Sequence, residues 1–156
     1  MTKKDPFRPV DDAARAQAAA LIAEARHGAL GTLRNGYPVV SRAALAPTEH
    51  GLLTLVSDLA AHAQAMRIDP RISLLIGDPG RGDPLAHPRI TVTGTAQFVE
   101  KAPHRDAYLA LQPKAALYID FADFNIVRID MDHAELNAGF GKAYRLTADD
   151  IRLPER

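Results

Sequence analysis

Residues 29–46 read ALGTLRNGYPVVSRAALA. Asn35-Gly36 stands between two apolar runs, and both residues tolerate positive φ. The stretch therefore predicts a β-hairpin, with strands over 29–34 and 38–46. The turn PTEHG follows, and LLTLVS (52–57) continues as a third strand, since Val, Thr and Leu suit a pleated ladder. At Ser57-Asp58 the period changes. LAAHAQAMRID places Leu59, Ala63 and Met66 on one face of a short helix starting at Ser57, with Pro70 just past its end.

Further outward, RISLLIG (71–77) reads as strand four, and the Gly/Pro-rich DPGRGDPLAHP as a loop. RITVTGTAQFV (89–99), strand five, alternates: Ile90, Val92, Gly94, Ala96 and Phe98 face one side. FNIVRID (124–130) is strand six. HAELNAGFGKAYRL (133–146) reads as a loop or a broken strand, and Thr147 with Asp150 as the cap of a last helical turn. Pro6 and Pro9 make residues 1–10 an extended arm. Asp11 or Asp12 caps a helix through about Arg26, carried by Ala14, Ala18, Leu21, Ile22 and Ala25 and ended by Gly28. A further helical segment, PHRDAYLALQPKAALY, is interrupted at Pro113. Several antiparallel strands with a few helices predict a mainly β, α+β domain over 11–156, a small barrel with packed helices.

Composition narrows the chemistry. With 156 residues, 47% hydrophobic and 24% charged, the chain is an ordinary globular domain. Lys+Arg and Asp+Glu both number 19, which argues against a general nucleic-acid binder. There is no Cys, so disulfides, thiolate nucleophiles and Cys-held metals are excluded. A Cys-free chain with no apolar leader and no spanning run points to a cytoplasmic protein without a membrane partner. Aromatics are only 6%, so a planar ligand has to be gripped mainly by backbone and small side chains.

Two stretches carry candidate binding residues. Where strand three meets the short helix, free N–H groups and the helix dipole favour an anion. Ser57 adds a hydroxyl, His62 an imidazole, and Arg89 a bidentate donor from a later strand. The plainer reading of the same residues is an ordinary N-cap, a solvated histidine and a surface arginine. Ser41 and Arg42 lie on the second hairpin strand among small residues, where a ring can approach the backbone; otherwise this is an edge strand with a solvated Arg42. The six histidines, at 27, 50, 62, 87, 104 and 133, show no metal-binding spacing.

GTLRNGYPVVSRAALA, LLTLVSDLAAHAQAMRIDPRISLLI and RITVTGTAQFV together resemble the FMN-binding split barrel of pyridoxamine 5′-phosphate oxidase-like proteins, over roughly residues 12–146. SDLAAHAQAM, ADFNIVRID and AGFGKA resemble its haem-utilisation (HugZ-type) branch. The resemblance implies a six-stranded antiparallel split barrel and a homodimer with FMN at the interface. It assigns the ring-side strand to Val40, Ser41, Arg42 and Ala43. The phosphate falls to Ser57, His62 and the N–H groups of Leu59 and Ala60, a strand-five contact to Arg89, and partner-site contacts to Phe140 and Lys142. The family's basic pair in the short helix is Ala61-His62 here, and the Arg-x-His substrate motif of the oxidases is absent from RLTADDIRLPER. The implied function is an FMN-dependent oxidoreductase of unassigned substrate, a deazaflavin being an equivalent cofactor. Its rivals are a haem-binding protein, using His62, His133 or a loop histidine as ligand and Arg89 for a propionate, and a dimeric barrel that has lost its ligand.

Overall fold

The structure, a computed structural model, describes residues 4–153; Met1–Lys3 of the arm and 154–156 at the end of the domain lie outside the described residues. Helix α1 (Asp12–Ala23) starts where Asp11 Oδ1 accepts the Ala14 N–H at 2.8 Å. It buries Ala14, Ala18 and Ile22, spaced four apart. Strands β1 (His27–Arg34) and β2 (Tyr37–Ala44) form the expected hairpin, with Asn35 and Gly36 at φ 51° and 78°. Then come β3 (Ala46–Thr48), β4 (Gly51–Ser57), α2 (Ala61–Ile68), β5 (Arg71–Ile76) and β6 (Arg89–Val99). The chain finishes with α3 (Arg105–Leu111), β7 (Phe124–Asn137) and β8 (Ala143–Thr147).

Every pairing between these strands is antiparallel, in the order β2-β1-β5-β6-β7-β4-β3, with β8 also on β7. Strands β2 and β3 are the two ends of this path, yet only Leu45 separates them in the chain. The sheet's opposite edges must therefore come together, and the sheet curls into a barrel that stays split along that seam. Leu45 is fully buried there. Its N–H donates to the Arg26 carbonyl (2.8 Å), and Gln112 Nε2 donates to the carbonyls of both Arg26 and Leu45 (2.7 and 2.9 Å).

Even positions of β6 and β4 fill the barrel: Ile90, Val92 and Ala96 meet Leu52 and Val56, with Leu30, Leu74, Val127, Ile129 and the apolar face of α1. Outside, α3 buries Tyr108 against Leu53, Ile126 and Ile119 in a second cluster. Burial pushes the Tyr108 hydroxyl's pKa up. The mainly β split-barrel expectation holds, and all six expected strands exist.

The differences are local. The second strand breaks at the buried Leu45 into β2 and β3. The stretch 133–146, read as loop or broken strand, is ladder: β7 runs on to Asn137 and pairs with β8, the pair closed by Gly139 and Gly141 at φ 128° and 69°. Gly28 does not end α1 but sits inside β1, where a Cβ would lie 2.9 Å from the Leu75 carbonyl oxygen. The short helix starts at Ala61, not Ser57, and Leu59 lies outside it, 83% exposed. The 103–118 segment divides into α3 and 3₁₀ turns at Ala102–His104 and Pro113–Leu117. Residues 149–151 form a 3₁₀ turn with reciprocal Thr147–Asp150 hydrogen bonds.

Candidate functional site

Helix α2 packs its Ala63 and Met66 into the barrel core, which carries His62 to the β2 edge. There His62 Nδ1 and Ser41 Oγ form a hydrogen bond of 3.3 Å. The fold thus joins the two candidate stretches, the ring-side strand and the helix start. Burial lowers the His62 pKa below its ordinary value, so the ring is neutral at pH 7. Its Nε2 has no partner among the described residues.

The other helix-start candidates serve the connection itself. Ser57 Oγ accepts the Leu59 N–H (3.2 Å) and donates to Asp123 Oδ2 (3.4 Å), while the Ala60 N–H goes to the Ser57 carbonyl (3.0 Å). The N–H groups of Leu59 and Ala60 are thus already engaged. Asp58 turns aside, its Oδ1 accepting from Asn125 Nδ2 (2.7 Å) and Arg67 Nη2 (3.2 Å). Ala60 supplies no side-chain cap, so the first-turn N–H groups of Ala61, His62 and Ala63 are left for solvent or a ligand.

Ser41 and its neighbours on β2 divide between faces. Ser41 pairs with the core residue Leu30, and Ala43 is buried. Val40 (70% exposed) and Arg42 point the other way, opposite Gly31 and Ala29. A groove of about 330 Å³ runs beside them, bounded by Ala29, Leu75 and Asp78. Arg89 stands elsewhere. Ser41 shares a cross-sheet row with Leu30, Leu74 and Val92, while Arg89 is three residues further along β6. Its Nη1 donates to the carbonyls of Leu85 and His87 (3.0 and 3.2 Å), bracing the preceding loop. Phe140 (75% exposed) and Lys142 occupy the β7–β8 turn, whose backbone closes through Lys142 N–H to Gly139 O (3.1 Å). Within one chain, then, Ser41 and His62 meet, Val40 and Arg42 flank them on the opposite face of β2, and Arg89, Phe140 and Lys142 lie apart.

One pair has no counterpart in the sequence reading. His133 Nδ1 lies 2.8 Å from Asp132 Oδ2 although the two are neighbours in a strand. Nothing in the local pattern singles out Asp132; the faint signal is Gly94, a glycine inside the facing strand.

The sequence matches the pyridoxamine 5′-phosphate oxidase family over residues 14–138. It is 30% identical over 128 residues to Heme oxygenase HutZ of Vibrio cholerae, covering 74% of this chain and 70% of that protein. It is 38% identical over 114 residues to the chloroplastic non-canonical heme oxygenase HOZ of Arabidopsis thaliana, covering 70% of this chain but 34% of that one. A heme binding protein from Mycobacterium smegmatis superposes with a TM-score of 0.83 at 30% identity, over 92% of this chain and 61% of its own. The chain thus spans about a third of the plant relative and about six-tenths of the mycobacterial one. Fold, register and sequence agree, and the chain belongs to the pyridoxamine 5′-phosphate oxidase-like family of split barrels.

Proposed function

We propose that this protein binds haem and acts in haem handling, working as a homodimer. The carrying observation is that relatives at 30% and 38% identity, aligned along the barrel, are named as haem oxygenases. The donor set fits. A haem-ligating imidazole needs one ring nitrogen held and the other free. His62, through Ser41, and His133, through Asp132, meet that condition. His27 and His87 show the reverse arrangement, with Nε2 held by Asp78 (3.1 Å) and the Arg81 carbonyl (2.8 Å) and Nδ1 left over. Bound haem supplies the iron and its redox chemistry; the chain supplies the ligand, the orientation and the shelter from water.

The homodimer reading rests on β2, an edge strand whose Tyr37, Val39 and Val40 are exposed, an apolar run unusual on a free surface. FMN is the second reading, favoured by the uncapped start of α2, which suits a phosphate. The cytoplasm remains the expected compartment; no helix of the described residues is long and apolar enough to cross a membrane.

Titrating the purified protein with ferric haem tests this reading. A Soret band distinct from that of free haem, saturating at a fixed ratio to chain, is expected. A titration with no such band overturns the haem reading. Quenching of FMN fluorescence by the same protein would transfer the site to flavin.

A further inference from the structure

Outside the candidate site, two imidazoles meet where α3 joins the barrel. His50 comes from the turn between β3 and β4, and His104 from the 3₁₀ turn that leads into α3. Their ring centroids lie 4.9 Å apart with the planes at 81°, an edge-to-face contact.

The setting accepts a neutral His104 and resists a charged one. His104 Nδ1 is sealed from solvent and has no hydrogen-bond partner among the described residues. A neutral ring leaves that nitrogen bare. An imidazolium must donate from both nitrogens, and at Nδ1 a charged donor would find neither acceptor nor water. Burial, then the charges of His50 and of Arg128 on β7, hold the His104 pKa below its ordinary value.

The carboxylates nearby are already committed. From the β3–β4 turn, Glu49 Oε1 stands 3.6 Å from His50 Nε2, so it serves the other imidazole. From β7, Asp130 Oδ1 accepts from Arg128 Nε at 2.7 Å. Arg152 borders the same groove as His50 and Arg128 and is held by Asp149 (2.6 Å). On the segment of His104 itself, Arg105 pairs with Asp120 (2.8 Å) and Asp106 (3.3 Å), and Lys101 Nζ donates to the Phe121 and Phe124 carbonyls. A positive His104 is left without a counter-charge.

The position of His104 decides what the contact holds. It is the N-cap residue of α3, a helix of seven residues that is too short to persist in water alone. Tyr108 anchors the helix among Leu53, Ile119 and Ile126. Just past its far end Gln112 Nε2 donates to the Arg26 and Leu45 carbonyls, across the seam where β2 gives way to β3. Charge at the start of α3 also opposes the helix dipole.

We propose that the His50–His104 contact is a pH-sensitive latch: mild acid puts a proton on His104, detaches α3 from the barrel wall and loosens the seam at Leu45 beside β2. The step is one proton taken from solvent by one imidazole, and no covalent bond of the chain breaks. The latch is a property of the chain alone and stands whether or not haem binds.

Amide hydrogen exchange of the full chain at about pH 7.5 and about pH 5.5, corrected for the intrinsic pH dependence of exchange, tests the latch. Protection in α3 is expected to fall by up to about 10-fold more than in β6, since the lower pH lies about one unit below the pKa of an unhindered histidine. His104→Phe keeps an aromatic ring against His50 but cannot titrate, and in it α3 and β6 are expected to respond alike. His62→Gln, changed on α2, is expected to keep the wild-type difference. Equal losses in α3 and β6 of the wild type overturn the proposal, a comparison that needs no variant to fold. A wild-type response in His104→Phe overturns it too, and a response lost in His62→Gln overturns it by moving the switch to α2.

Discussion

Ser41 Oγ and His62 Nδ1 lie 3.3 Å apart, joining β2 to α2 across 21 residues of sequence. The contact pins the short helix, which has no side-chain cap of its own, to the edge of the barrel. It also holds the imidazole in a half-buried place, where the charged form is disfavoured.

That burial sets a pH dependence. The pKa of His62 is lowered by burial, and that of His104 by burial first, then by His50 and Arg128. The unfolded chain therefore binds protons more readily at both sites. Their contribution to stability is complete above about pH 6.5 and is lost as the pH falls through that value towards the folded pKa. The urea midpoint should be lower at about pH 5.5 than at about pH 7.5, and a His62→Gln, His104→Gln double variant should flatten the difference.

Gly94 and Gly31 should differ sharply in their response to alanine. At Gly94 the new methyl meets backbone on β7, where Asp132 is the extra residue of a β-bulge opposite Thr93 and Gly94, and a loss of roughly 3 kcal/mol is expected. At Gly31 the nearest atom is the Ser73 carbonyl oxygen at 3.5 Å, an ordinary contact, so a change within about 0.5 kcal/mol is expected. Urea unfolding of the two variants measures both.

Asp11 caps α1 through the Ala14 N–H, and Asp11→Ala should cost about 1 kcal/mol. Asp12, fully exposed in its pair with Arg15, should leave the unfolding midpoint nearly unchanged when replaced by Ala. Thermal melts of the two single variants distinguish cap from surface charge.

If the exposed β2 strand is covered by a second copy, light scattering should report twice the 16.9 kDa chain mass. Val40→Glu should then return the single-chain mass, because a carboxylate in an apolar interface loses its hydration without gaining a partner. A wild-type protein at the single-chain mass contradicts the pairing.

Legibility in the sequence followed the range of the interaction. The Asn35-Gly36 hairpin, the alternation of β6 and the Asp11 cap depend on residues a few positions apart, and each was readable. The division of the second strand at Leu45 was not, because Leu45 simply continues the apolar run AALA in the sequence. It leaves the ladder only where the two sheet edges meet and Arg26 and Gln112 take its hydrogen bonds. The continuation of β7 past Asp130 was also hidden. Its polar His133 and Glu135 read as loop, yet they are the outward positions of a strand paired on both sides.

The candidate site divides in the same way. Ser41 and His62 were each identifiable from residue type and flanking pattern. Their meeting was not, since it depends on how α2 closes the barrel. The helix start lies a few residues past the expected Ser57, because Ser57 forms a local turn to Leu59 and Ala60 is the N-cap of a helix that begins at Ala61.

By itself, then, the amino-acid sequence determined the element types, the core-facing pattern and the barrel class, all consequences of local backbone preference and hydrophobic period. The tertiary structure alone decided which side chains meet: Ser41 with the distant His62, and the neighbours Asp132 and His133 through a bulge that Gly94 permits. The physical reason is that a bulge or a helix docking is stabilised by contacts with another strand, so its position is written in the partner's register and not in its own neighbours.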